Sequence, residues 1–158
     1  MEQKTKVFAE DGKQDLMITR EFDLPLELLF KAYIEPEIVE QWMGTKVIKL
    51  QNNKHGCYQF ETTDPKGNTH VFSGVIHELI LNEKITKTFE MEHKPYGVQL
   101  EIYNFQKVAD NRSQLKMHVI YESVAHRDGV LQLPFSQGIN MAHSRLEKLF
   151  SQLKRSKI

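Results

Sequence analysis

The side chains able to hold a metal or move a proton are thinly spread along this sequence. The seven histidines, His55, His70, His77, His93, His118, His126 and His143, never form a His-x-His or His-x-x-x-His pair, the spacings that set two imidazoles on one face of a strand or helix. No metal and no other cofactor is expected, and most of these histidines read as surface residues. Cys57 is the single cysteine, next to Gly56. With no activating group identified for it, an isolated thiol of this kind reads as a small core hydrophobe, because reactivity requires a lowered pKa. His70 and His118 lie in alternating segments. His70 shares the parity of Phe72, Gly74 and Ile76 and is the candidate hydrogen-bonding or acid/base group of an interior, whereas His118 alternates against Leu115, Met117, Val119 and Tyr121 and reads as facing solvent. Arg20 stands between Ile18 and Phe22 on the inward parity, where a charge needs a partner or water, and an ion pair at an edge or rim is the plainer reading. No catalytic set emerges.

The charge pattern narrows the partners. Lys+Arg number 21 and Asp+Glu 21 in 158 residues, so the long-range attraction of a nucleic-acid binder is missing, and the one basic run is the tail Lys154-Arg155-Ser156-Lys157. Nucleic acid is not an expected partner. The stretch from Met1 to Asp15 is charged where a signal peptide is apolar, and no window approaches the roughly 18 apolar residues of a membrane span. No membrane partner is expected, and a lone cysteine points to a reducing, cytoplasmic setting. The length suits one domain, 1–158, with about 70% of the unfolded chain's surface available for burial. Residues 1–14 are polar and read as a frayed lead-in or a short edge strand.

The elements that must position any site follow from periodicity. Leu16, Ile18 and Phe22 alternate as a strand; Pro25 then opens a helix carrying Leu26, Leu29, Phe30 and Tyr33 at i, i+3, i+4 and i+7, the period of an apolar helical stripe. A second short helix starts at Glu35-Pro36-Glu37, presents Ile38, Val39, Trp42 and Met43, and stops at Gly44, with acidic residues at its positive end. From Thr45 to Ser123 period two returns, and strands are predicted over Lys46–Gln51, Cys57–Thr63, Thr69–Ile80, Lys84–His93, Val98–Val108 and Gln114–Glu122. Their short turns leave no room for crossover helices, so consecutive strands pair antiparallel in a meander. Val130 to Lys154 is predicted as one long amphipathic helix with Ile139, Ala142, Leu146, Leu149, Phe150 and Leu153 on its stripe. Gly138 inside it costs about 1 kcal/mol relative to Ala, which implies close packing or a softened first turn.

One amphipathic helix must then cover the apolar face of a six- or seven-stranded antiparallel sheet, an α+β layer, because neither can bury its stripe alone. A twisted sheet and a helix differ in curvature and need not touch everywhere. That leaves a pocket.

The run from Ile18 to Glu37, with Gln41-Trp42-Met43-Gly44, resembles the opening of the START-like (SRPBCC) superfamily, specifically the family named for activators of the heat-shock-protein-90 ATPase. The likeness continues through the Gly56 turn, the long strand centred on Gly74, the Leu81-Asn82-Glu83-Lys84-Ile85 connection and the closing Leu146-Glu147-Lys148-Leu149. Met43 stands where a second tryptophan is usual, Gly56-Cys57 replaces Gly-Gly, and Arg112-Ser113 replaces Gly-Thr. The resemblance implies a helix-grip fold whose cavity, between sheet and C-terminal helix, holds a hydrophobic or amphipathic small molecule. Chaperone binding is not expected to transfer, since only about 15 residues precede the first strand, with no space for the additional N-terminal domain that the eukaryotic activators use.

The candidate cavity residues are Trp42, Tyr58, Phe60, His70, Phe72, Phe89, Met91, Asn104, Met117, Tyr121, Phe135, Ile139 and Ala142. Aromatics and methionines, Met141 included, supply adaptable apolar walls, with Tyr58, His70, Asn104 and Tyr121 as polar anchors. Binding of a small hydrophobic molecule by a monomer or homodimer is the leading expectation. A cyclase- or hydrolase-like enzyme using His70 with a tyrosine or carboxylate, and an interaction module resembling the chaperone-activator domain, are the alternatives.

Overall fold

A computed structural model describes residues 4–156 and the side chains of residues 4–152. The side chains of Leu153 and of the basic run Lys154 to Lys157 lie outside those described. The element order is β1 (Lys6–Phe8), β2 (Asp15–Phe22), α1 (Leu26–Ile34), α2 (Pro36–Met43), β3 (Lys46–Leu50), β4 (Cys57–Thr63), β5 (Thr69–Ile80), β6 (Lys84–Met91), β7 (Val98–Ala109), β8 (Arg112–Ile120), α3 (Val124–Leu131) and α4 (Phe135–Ser156). The helix-grip expectation holds. The sheet has eight strands in the order β1-β2-β8-β7-β6-β5-β4-β3, one more than the upper expectation. The addition is β1, which pairs antiparallel with β2 through Lys6↔Thr19 and Phe8↔Met17, so part of the polar lead-in is an edge strand.

Local chemistry sets most boundaries. Gly44 ends α2 in the left-handed region at φ 63, which glycine enters without a steric penalty. β6 stops at Met91, short of the predicted His93, because His93 itself turns left-handed at φ 62. The long C-terminal helix is broken in two. Helical continuation is barred at Pro134, whose ring disfavours helical backbone at Leu133, and α4 begins only at Phe135. Ahead of it lies α3, which the sequence reading missed although Ser123 caps it, its Oγ accepting from His126 N at 3.1 Å.

Two apolar clusters fill the space between sheet and helices. The larger joins Leu16, Ile18, Phe22, Leu29, Phe30, Trp42, Tyr103, Phe105, Leu115 and Val119 to Leu146 and Phe150 of α4. The smaller holds Val39, Tyr58, Phe60 and Ile76. Curvature between them is built at Gly74. A Cβ there would collide with the Thr88 carbonyl and meet Tyr58 Cε1 at 2.8 Å, so its absence lets β4 and β6 crowd β5. Tyr58 Oη crosses that gap to donate to Thr88 O, and Val75 N donates to Thr88 Oγ1 at 3.0 Å, replacing a ladder bond with side-chain chemistry where the sheet bends.

Candidate functional site

The inward stripe of α4 is sealed at one end and open at the other. Leu146 and Phe150 are buried in the large cluster, whereas Phe135, Gly138, Ile139, Ala142 and His143 border a cavity of about 570 Å³. From the sheet it is bordered by Ile18 of β2, Tyr58, Phe60 and Thr62 of β4, Phe72 of β5, Phe89 of β6, Tyr103 of β7, and Met117 and Val119 of β8. Tyr33, Trp42 and Met43 close it from α1 and α2. Its walls draw on both clusters, so it lies where the two do not merge.

Of the sequence-predicted residues, Trp42, Tyr58, Phe60, Phe72, Phe89, Met117, Phe135, Ile139 and Ala142 border the cavity. His70, Met91, Asn104 and Tyr121 do not. His70 has the parity of Phe72, but it stands at the start of β5, and its Nε2 lies 3.0 Å from Asp64 Oδ2 in the preceding turn. The acid/base reading built on His70 therefore has no cavity to act in. Met91 pairs with Phe72 at the last residue of β6, beyond the bordered space. Asn104 is exposed, because Glu101, Tyr103 and Phe105 are the buried residues of β7. Tyr121 is buried just past the end of β8 in the large cluster, its hydroxyl without a partner among the described residues. Met141 faces solvent at 59% exposure.

Tyr58 apart, the polar groups of the wall are ones the sequence pattern did not single out. Glu101 is buried; its Oε1 accepts from Tyr103 Oη at 2.7 Å and its Oε2 from Gln99 Nε2 at 2.8 Å. Lys87 is directly opposite Glu101 in the β6–β7 ladder. It too borders the cavity, and burial holds its ammonium below the ordinary lysine value against the opposing pull of Glu101. Burial, with Glu101 reinforcing it, raises the hydroxyls of Tyr33, Tyr58 and Tyr103, so these tyrosines stay neutral donors. The missed signal was parity: Lys87 alternates with Ile85 and Phe89, and Glu101 with Tyr103 and Phe105.

His143 corrects the reading of the histidines as surface groups. It is 1% exposed, with Thr5 Oγ1 at 2.8 Å from Nδ1 and Tyr33 Oη at 3.4 Å from Nε2. Burial, and secondarily Arg20, push its pKa down to about 3. Arg20 has found its partner: Nη2 donates to Glu147 Oε1 at 3.0 Å, and Nη1 to Thr5 Oγ1 at 3.1 Å. Thr5, just ahead of the edge strand, thus ties β2 to α4. Trp42 Nε1 donates to Ala32 O at 2.8 Å, locking α2 on α1 while the indole faces the cavity.

This layout, a long terminal helix held over a curled antiparallel sheet with a hollow beneath its first turns, agrees with an independent comparison of sequences. The profile of the family described as "Activator of Hsp90 ATPase homolog 1-like protein" matches residues 23–151. The chain belongs to that family. Solved structures share the fold: a Mycobacterium smegmatis protein superposes with a TM-score of 0.83 at 19% identity, covering 92% of this chain and 95% of its own. An Arthrobacter aurescens protein gives 0.83 at 14%, covering 93% and 91%, and a Rhodobacter sphaeroides protein 0.82 at 19%, covering 93% and 99%. A search of the curated proteins finds none that matches the sequence. No helix among the described residues is long and apolar enough to cross a membrane.

Proposed function

We propose that this chain binds a small hydrophobic or amphipathic molecule in the cavity between its sheet and α4, in a cytoplasmic setting. The observation that carries the reading is a cavity of about 570 Å³, within the roughly 300–1,000 Å³ of small-molecule sites, whose exposed wall is mainly aromatic, aliphatic and methionine side chains, with Lys87, Gln99, Glu101 and Arg145 among its polar groups. Trp42 is the single tryptophan and borders that space, so its fluorescence reports occupancy directly. Titration with unreactive lipophiles such as 1-decanol should shift Trp42 emission saturably and raise the Tm. Native mass spectrometry of the purified protein should show retained small molecules and the subunit number. No saturable shift across a series of chain lengths would dismiss the reading. The family description also carries a chaperone-directed role; stimulation of the chaperone's ATPase rate by this chain, with no lipophile bound, would favour that role instead.

A further inference from the structure

Lys87 is placed as reactive amines are placed. It occupies an inward position of β6 between Ile85 and Phe89, and it borders the cavity. Its Nζ lies 4.5 Å from the ring centroid of Tyr58 and 5.1 Å from that of Tyr103, so aromatic faces from β4 and β7 flank the amine. No carboxylate among the described residues comes within 4.0 Å of it. Lys87 is half-buried, and a lysine drawn into a wall for structural reasons alone is ordinarily paired. Here the nearby acid, Glu101, is directly opposite in the ladder, but it is held by Tyr103 Oη and Gln99 Nε2. The amine is left facing the cavity, with a fixed carboxylate on the neighbouring strand.

We propose that Lys87 captures the carbonyl carbon of a lipophilic aldehyde entering the cavity and forms an imine with it. The proposal rests on the binding reading and names the ligand class. Burial favours the neutral amine against the pull of Glu101, and a desolvated lysine in an apolar pocket is an activated nucleophile. The other charged or titratable groups on the wall leave the amine free to react. Arg145 donates from Nε to Trp42 O at 3.0 Å, and His143 is neutral.

The step balances without an oxidant or reductant. The Nζ lone pair adds to the carbonyl carbon, the π pair moves to oxygen, and the proton lost by nitrogen ends on that oxygen, giving a carbinolamine. The nitrogen lone pair then forms the C=N bond as the C–O bond breaks, and the hydroxyl takes up the proton that nitrogen gives up second and leaves as water, giving the neutral imine. Solvent carries those protons, Glu101 being held by Tyr103 Oη and Gln99 Nε2, and the apolar walls hold the tail.

The test is reductive trapping. The intact protein is mixed near neutral pH with one equivalent of decanal and sodium cyanoborohydride, digested, and each lysine's adduct quantified by mass spectrometry. Because burial favours the neutral amine, Lys87 should be labelled ahead of every surface lysine. Lys87→Arg should remove that adduct and leave labelling of the surface lysines as in the parent. Decanol binding combined with decanal adducts spread evenly over surface lysines overturns the proposal and leaves the binding reading intact. Failure of decanol to bind removes the binding reading, and the proposal with it. Lys87→Met, shown folded by circular dichroism, serves as the control if the arginine variant does not fold.

Discussion

Gly138 gives the sharpest test of the hollow under α4. It closes the first turn of the helix, is solvent-exposed at the rim of the cavity, and a Cβ built on it meets nothing within 4 Å. That settles the sequence-level choice against close packing at this glycine. Its φ is not in the positive range, so alanine fits the backbone as it stands. Gly138→Ala should therefore gain the helix propensity difference, about 1 kcal/mol, with no steric loss to offset it. In a domain of this size that corresponds to a rise of about 2–4 °C in Tm, read by circular dichroism at two protein concentrations. Gly138→Phe places a ring in the same space, and should abolish the Trp42 response to 1-decanol while leaving the protein folded. Retention of the Trp42 response in a folded Gly138→Phe would mean that the space beside Gly138 is open solvent rather than the hollow, and the cavity argument would fall.

Three further outcomes follow from the interior. Gly74→Ala should destabilise by about 1–3 kcal/mol, because the new methyl collides with the Thr88 carbonyl and Tyr58 ring; urea unfolding measures it, and a neutral result would mean the sheet is not pinched there. Glu147→Ala should cost about 3 kcal/mol by leaving the 2%-exposed Arg20 without its carboxylate, and Arg20→Met with Glu147→Leu should recover much of that loss. His143 binds fewer protons folded than unfolded, since its pKa is about 3 in the fold and about 6.5 in an unfolded chain. Its contribution is complete above about pH 6.5 and is lost as the pH falls toward 3, by up to about 1.4 kcal/mol per unit. His143→Gln should flatten that acid limb relative to the parent, and superimposable limbs would contradict the burial argument.

Alternation and stripe spacing were enough to read the strand–helix–helix opening, the antiparallel meander and the amphipathic terminal helix, because those patterns are local. They were also enough for the apolar part of the wall: Phe60, Phe72, Phe89, Met117, Ile139 and Ala142 lie where period two or 3.6 puts them. Asn104 shows where local pattern stops. In β7 both parities carry apolar residues, Leu100 and Ile102 on one and Tyr103 and Phe105 on the other, and only packing within the large cluster, α1 included, decides that the second set, with Glu101, is buried. His143 and Arg20 show the same limit, since each is held by Thr5, more than 130 residues from His143 and brought to it by the edge strand that follows. The sequence thus determined which faces were greasy. Tertiary structure alone decided which charges those faces enclose, because the desolvation of Lys87 and the company of Glu101 depend on neighbours that no short window contains.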